Sequence, residues 1–207
     1  MLLSIDTAIG SSVALVDPVS GETLGAAAVT DTMRHAEVIG ELIAEVLTSA
    51  GRRASDVTGV VSGIGPGPFT GLRIGMAAAR AFAVGAHVPL HPIVSHDGIA
   101  RQWYAAGHRG PLRVVTDARR REVYWSAYTG LDAAGVPVRV SGPNLCVPAE
   151  LPEDEAHRLD AVEVPAAELA RVAEALLRSG GTLPAGDPLY LRSPDVTPPA
   201  PGKRVTA

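Results

Sequence analysis

The chain has 207 residues, a formal net charge of −4 and a sequence pI near 5.8. Its 46% hydrophobic residues can supply the core of one domain or of two small lobes. The acidic balance excludes a general attraction to nucleic acid or membranes, so any RNA contact has to be local or come through a partner. The single cysteine, Cys146, excludes a disulfide framework and favours a reducing, cytoplasmic setting. The N-terminal residues show neither a basic leader nor a long apolar run, so we expect no signal peptide and no membrane span.

The first half of the chain alternates strand and helix patterns. Short apolar runs separated by turns predict an antiparallel meander of three strands, and apolar residues at helical spacing predict an amphipathic helix after it. In chain order the predicted elements are strands 2–6, 12–16 and 24–29, helix 35–50, strand 58–63, helix 68–85, strand 88–93 and helix 95–107. Three strands followed by helix, strand and helix are typical of one half of an actin-like, ribonuclease-H-like unit.

The second half restarts this pattern in shortened form. Strands are predicted at 112–117, 122–128 and 136–140, and an amphipathic helix at 166–178, after an acidic insert at 150–160 to which we assign no role. We therefore predict an α/β fold of the actin-like (ASKHA) class, a duplicated ribonuclease-H-like fold with two lobes, the second one reduced. The predicted domains are residues 1–108 for the N-terminal lobe, 109–193 for the smaller C-terminal lobe and 194–207 for a proline-rich disordered tail.

A glycine and proline motif at residues 62–75 joins a strand directly to a helix. This order places backbone donors and a helix dipole at one point, as phosphate sites do. The spacing matches neither a Walker loop, nor a dinucleotide loop, nor a hydrolase nucleophile elbow, and Pro66 and Pro68 remove two backbone donors. The shape of the motif therefore indicates a phosphate site, although the motif offers few of the groups that bind a phosphate.

Asp6 ends the first predicted strand and Thr7 follows it, where actin-like ATPases place an acidic residue and a phosphate-facing turn. Together with Gly65 and Gly67 they are the candidate nucleotide-binding residues. The alternative is a turn in which Asp6 bonds its own backbone, and we favour that alternative.

No metal site is predicted. Among the six histidines the only pair at helical spacing is His87 and His91, which flank a segment that proline keeps from being helical. On a strand the two would lie about 13 Å apart, too far to share one ion.

Three consecutive arginines, Arg119, Arg120 and Arg121, are predicted to lie in a hairpin turn. Guanidinium groups match phosphate oxygens, so such a cluster can bind phosphate or RNA. A solvated turn is the more common outcome for a run of charges.

Small residues recur at every fourth position of the helix at 68–85. A face with almost no side chains permits close approach of the backbone to another element, and the helix at 35–50 carries a wide apolar stripe. The alternative is that both helices simply pack on their own sheet. We predict a partner interface formed by Val38, Leu42, Val46, Gly71, Leu72, Gly75, Met76 and Ala79.

Five segments in order and spacing resemble the TsaB (YeaZ) family, and the likeness extends to about residue 196. They are Ile5-Asp-Thr7, Arg34-His-Ala-Glu37, the motif at 63–75, Asp117-Ala-Arg119 with Glu122-Val-Tyr124, and Pro188-Leu-Tyr-Leu-Arg192. The resemblance implies a cytoplasmic, non-catalytic subunit of the complex that makes N6-threonylcarbamoyladenosine in tRNA. It implies pairing with TsaD, the catalytic homologue, recruitment of the ATPase TsaE, and access to tRNA through the complex.

TsaD-like enzymes carry a metal-binding histidine pair whose positions fall, by this likeness, on Ser95 and Ile99. Neither residue replaces an imidazole, in agreement with the spacing of the histidines. We therefore expect a scaffold that also forms a homodimer when isolated, with ATP or ADP as candidate ligands at the subunit junction, no other cofactor and no membrane partner. The alternative is a stand-alone nucleotide-dependent enzyme or glycoprotease-like hydrolase of the actin-like superfamily.

Overall fold

Two β-sheets carry the fold. The computed structural model describes residues 1–31 and 34–192, and within them nine strands form the sheets and four α-helices pack on them. The predicted tail at 194–207 lies outside the described residues, so its disorder stays a prediction.

The first sheet has five strands in the spatial order β3-β2-β1-β4-β5. Its strands are β1 (Leu2–Asp6), β2 (Ser11–Val16), β3 (Thr23–Val29), β4 (Gly59–Gly63) and β5 (Leu90–Ile93). The first three are antiparallel, whereas β4 and β5 run parallel to β1. Every residue of β1 and β4 is buried, because helices cover both faces of the sheet centre.

Two helices cover one face of this sheet, and the fourth helix covers the other. The helices are α1 (His35–Ser49), α2 (Phe69–Ala86), α3 (Ser95–Ala105) and α4 (Ala166–Ser179). Alternation along β1 sends Leu3 and Ile5 into the core beneath α1 and α2, while Leu2 enters the core that contains Leu169 of α4. The fourth helix, the last among the described residues, therefore packs on the first sheet.

The second sheet has four strands in the order β8-β7-β6-β9. They are β6 (Leu112–Asp117), β7 (Val123–Leu131), β8 (Pro137–Cys146) and β9 (His157–Asp160). Helix α3 joins this sheet to the rest of the molecule, since it packs on α4 and on β6, β7 and β8. Its buried contacts include Tyr128 Oη, which donates to Asp97 Oδ1 at 2.8 Å.

The predicted strands and helices are confirmed, with ends that shift by a few residues. Strand β8 extends to Cys146, six residues beyond its predicted end, and β9 was not predicted at all. The lobe boundary near residue 108 stays a prediction.

The acidic insert has a structural role. It supplies β9, which runs parallel to β6, and it places Asp154 Oδ2 2.5 Å from Nη2 of the buried Arg113. The Nε of Arg113 is buried without a hydrogen-bond partner among the described residues. One insert carboxylate therefore neutralises a guanidinium that the second sheet buries.

Replacing Asp154 by alanine should lower the free energy of unfolding by about 1–3 kcal/mol, because Arg113 would keep its burial and lose its charged acceptor. Urea denaturation measures this change. Glu153→Ala removes the neighbouring exposed acid and should change the free energy by less than about 0.5 kcal/mol. Equal effects of the two substitutions would contradict the assigned role.

Candidate functional site

The glycine and proline loop between β4 and α2 is closed by contacts on both sides. The Ile64 amide donates to the Ile93 carbonyl at 2.9 Å, and the Ile64 carbonyl accepts from the Leu189 amide at 2.9 Å. The Gly65–Pro66 peptide bond is cis, and Pro68 stands at the N-cap of α2. The loop is thus a buried junction of three chain segments.

Asp6 at the end of β1 is 1% exposed. Its Oδ1 accepts from the Ala8 amide at 2.8 Å, and its Oδ2 accepts from Ser95 Oγ at 2.5 Å. Ser95 Oγ in turn accepts from the Gly65 amide at 3.1 Å. Burial raises the pKa of Asp6 to about 6, although both hydrogen bonds oppose that rise. The carboxylate therefore forms the turn that bonds its own backbone and also clamps the loop from inside.

The other three candidate nucleotide-binding residues are also engaged inside the chain. Thr7 Oγ1 donates to the Gly71 carbonyl at 2.7 Å and accepts from the Gly75 amide at 3.1 Å. A Cβ on Gly67 would lie 2.8 Å from the Ala8 carbonyl oxygen, and Gly65 is buried as well. A phosphate at these residues would have to displace these contacts, and nucleotide binding here stays a prediction.

The small-residue stripe of α2 faces inward. A Cβ on Gly75 would lie 2.1 Å from Thr7 Oγ1, and one on Gly71 would lie 3.1 Å from His35 Nε2. Among the eight predicted interface residues only Met76 is partly exposed, and the chain itself buries the other seven: Val38, Leu42, Val46, Gly71, Leu72, Gly75 and Ala79. These residues lie on the inner side of α1 and α2 and hold both helices on their own sheet. The structure therefore differs from the prediction, which placed them on a surface open to a partner. That a partner binds these helices stays a prediction.

The outer face of α2 is exposed and borders a groove. Arg73, Ala77 and Arg80 line a cavity of about 560 Å³ between α2, the β4–β5 edge and residues 186–188. Further along the helix Val84 is 68% exposed. Sequence reasoning missed this face, although arginines seven positions apart on the side opposite the small-residue stripe could have revealed it.

A C-terminal strap, residues 186–192, ties this helix to the second sheet. Arg73 Nε donates to Tyr190 Oη at 2.8 Å, and the Tyr190 ring lies 4.7 Å from the Phe69 ring. Two residues further on, Arg192 forms an ion pair with Glu122, and its Nη2 donates to the Arg119 carbonyl at 3.3 Å. The strap therefore holds the start of α2 and the β6–β7 turn together.

The two positions that correspond to the histidine pair of TsaD-like enzymes lie in the interior. Ser95 and Ile99 are both buried, and within residues 1–31 and 34–192 no group of three or more His, Cys, Asp or Glu side chains is arranged to hold an ion. His96 is also buried, with Nδ1 2.8 Å from Ser126 Oγ and Nε2 3.0 Å from Thr116 Oγ1. Burial, assisted by the Arg139 charge, lowers the pKa of His96 to about 3. A neutral imidazole thus joins α3 to the second sheet.

None of the helices in the described part of the chain is long and apolar enough to cross a membrane.

Comparisons with known proteins identify the family. The model of the family TsaD, tRNA N6-adenosine threonylcarbamoyltransferase, matches residues 30–171, more than half of the chain. An uncharacterised protein of Mycobacterium tuberculosis is 38% identical over 205 residues, covering 95% of this chain and 94% of that protein. The tRNA threonylcarbamoyladenosine biosynthesis protein TsaB of Escherichia coli is 35% identical over 95 residues, covering 45% of this chain and 41% of that protein.

A solved structure supports the same assignment at the level of the fold. YeaZ from Pseudomonas aeruginosa superposes with a TM-score of 0.76 at 24% identity, covering 92% of this chain and 99% of that one. The predicted α/β, two-lobed actin-like fold is confirmed. The chain belongs to the TsaB (YeaZ) family.

Proposed function

We propose that this chain is a non-catalytic subunit of the complex that makes N6-threonylcarbamoyladenosine in tRNA, where it supports a TsaD-like catalytic subunit. Membership of the TsaB family supports involvement in this biosynthesis. The observation that carries the non-catalytic role is the filled interior of the motif. Asp6 is hydrogen-bonded to Ser95 and Ala8, and Ile99 lies in the core, so both residues are engaged inside the chain and neither faces an open ligand site.

The outer faces of α1 and α2 are the proposed contact surface. Small residues recur at every fourth position on both outer faces, and such a face permits close approach of a helix from a partner. They are Ala36, Gly40 and Ala44 on α1, and Ala77, Ala81 and Gly85 on α2, and all of them are exposed. The sequence predicted this approach at the inner stripe of α2 instead.

Charge along these two faces is complementary. Exposed Glu37, Glu41 and Glu45 recur along α1, whereas α2 carries exposed Arg73 and Arg80. A two-fold pairing that sets α1 of one subunit against α2 of the other matches acid with base. A second copy of this chain, or a TsaD-like homologue built on the same fold, can supply such a surface.

The remaining parts of the proposal follow from this complex. The isolated chain forms a homodimer through the same faces. In the cytoplasm it binds a TsaD-like subunit, and the pair recruits a TsaE-like ATPase. ATP or ADP binds at the subunit junction, and tRNA is bound by the assembly.

Replacing Ala81 and Val84 by glutamate should weaken association with the catalytic subunit about 100-fold, at roughly tenfold per introduced charge. Both positions are exposed, so the thermal midpoint of the isolated variant should stay within about 2 °C of the parent. Calorimetric titration with the TsaD-like subunit measures the affinity. Formation of the modified nucleoside measures the activity of the reconstituted complex.

The matched control is Val162→Glu, at a position 77% exposed and remote in sequence from these helices. It should leave association unchanged. Unaltered affinity of the Ala81→Glu/Val84→Glu variant would remove the proposed surface.

A further inference from the structure

The turn between β6 and β7 has an unusual backbone. Arg119, Arg120 and Arg121 have φ values of 63, 54 and 64°, and all three are exposed. This left-handed conformation is unfavourable for a residue with a Cβ, and arginine is not a residue type that favours it. Since these side chains are not buried, packing of the core does not account for the strain. We call these three residues the arginine turn.

The surrounding structure holds the turn in one shape. The Arg119 amide donates to Asp117 Oδ1 at 2.9 Å, and the Glu122 amide donates to the Arg119 carbonyl at 3.0 Å. The Ala118 amide donates to the Glu122 carbonyl at 3.0 Å, which closes the hairpin. Arg192 adds its ion pair with Glu122 from the strap. Strained backbone that is fixed from several sides is typical of binding sites.

The turn is positively charged within an acidic protein. Arginines 119, 120, 121 and 192 contribute four positive charges and Asp117 and Glu122 two negative ones, a local sum of +2 against −4 for the whole chain. Both acids are already engaged, Glu122 with Arg192, and Asp117 with the amide of Arg119 and, at 3.6 Å, with its Nη1. These six residues therefore sum to a positive charge within an acidic chain, which favours an anionic ligand at the turn.

We propose that the arginine turn contacts the phosphate backbone of the tRNA that the complex holds, an inference that rests on the proposed function. Guanidinium forks match phosphate oxygens in pairs, and such contacts orient an RNA without reading its sequence. A rigid turn presents these groups with little loss of backbone freedom on binding.

The position of the turn fits this role. Tyr190, which contacts Arg73 at the start of α2, and Arg192, which contacts the turn, are separated by at most about 7 Å of chain. In addition, Tyr124 Oη donates to the Gly67 carbonyl at 3.4 Å. The arginine turn thus lies near the start of α2, at one end of the proposed partner surface. In our proposal an RNA held by the catalytic subunit contacts both proteins there.

The test uses the reconstituted complex of this chain with its TsaD-like subunit and a fluorescently labelled, unmodified tRNA transcript. Arg120→Gln/Arg121→Gln should raise the dissociation constant about tenfold at 0.1 M salt and reduce the slope of log K against log salt by about 1–2. Arg120→Lys/Arg121→Lys keeps both charges and should retain the slope. The matched control Arg52→Gln/Arg53→Gln removes two consecutive exposed arginines elsewhere and should leave the slope unchanged.

A glycine pair separates charge from conformation. Arg120→Gly/Arg121→Gly removes the same charges and relieves the left-handed strain, so it should weaken RNA binding as much as the glutamine pair while keeping or raising the thermal midpoint. If the glutamine pair does not fold, the glycine pair gives the same loss of charge.

Each remaining outcome decides between the proposals. If the parent chain does not bind the catalytic subunit, both the proposed function and this inference fail. If the complex forms but the variants bind tRNA with an unchanged salt slope, only the RNA contact is wrong. If they weaken subunit association instead, the turn contacts protein, and the RNA contact is again overturned.

Discussion

Replacing Gly75 by alanine should lower the free energy of unfolding by about 2–4 kcal/mol. The new Cβ would lie 2.1 Å from Thr7 Oγ1 and 2.9 Å from Thr7 Cγ2. Thr7 cannot turn away without loss, because the same Oγ1 donates to Gly71 and accepts from Gly75. The clash therefore adds to the loss of two buried hydrogen bonds. Urea denaturation of the two chains measures the difference.

Gly85→Ala is the matched control within the same helix. A Cβ there meets no atom within 4 Å, so the substitution should stabilise the protein by about 0.5–1 kcal/mol through helix propensity. Changes of opposite sign in the free energy of unfolding for these two substitutions would show that the inner stripe is used for packing. If both substitutions left the protein equally stable, this packing would be wrong.

The second large effect concerns pH and two buried groups of opposite sign. The folded state lowers the pKa of His96 from 6.5 to about 3, so its contribution is intact above pH 6.5 and is lost as the pH falls towards 3. The folded state raises the pKa of Asp6 from 3.8 to about 6, so its contribution is present below pH 3.8 and is lost as the pH rises through 6. The full shifts correspond to about 5 and about 3 kcal/mol.

Between pH 6 and 4 the pH dependences of these two contributions are opposite and nearly cancel in the parent chain. Single variants should separate them. His96→Gln should make the free energy of unfolding rise on acidification relative to the parent, whereas Asp6→Asn should make it fall. The relative slopes should approach about 1.4 kcal/mol per pH unit in each direction. Urea titrations at half-unit pH steps give these slopes independently of the absolute stability of each variant. Curves parallel to the parent would show that neither pKa is shifted as described.

Most of the fold was predictable because hydrophobic periodicity is a local signal. The meander, the four helices and the hairpin around Asp117 all follow from it. Strand β9 was not predicted because it has only four residues, three of them exposed. Its charged side chains also mask any alternation of apolar and polar residues. That segment is held by parallel pairing of β9 with β6 and by the contact of Arg113 with Asp154, 41 residues away, and both are contacts distant in sequence.

The close packing at α2 was predictable from the sequence, but the element that packs there was not. Periodicity shows which residues of α2 share a face, and the stripe beginning at Gly71 and Gly75 was correctly identified as a surface of close approach. What approaches it is Thr7, 68 residues from Gly75, and no local pattern contains that contact. The same limit applies to the strap, whose Tyr190 lies 117 residues from its partner Arg73.

The placement of α4 on the first sheet has a consequence for synthesis of the chain. Ala166 follows Ile93, the last residue of that sheet, by 73 positions. At a ribosomal rate of about 5–20 residues per second, the completed five-stranded sheet waits roughly 4–15 s for the helix that covers its second face. During that interval the apolar residues destined to meet Leu169 are open to chaperones and to other nascent chains. A ribosome stalled before α4 should therefore carry an aggregation-prone, protease-sensitive chain, and full protection from protease should appear only once that helix has emerged.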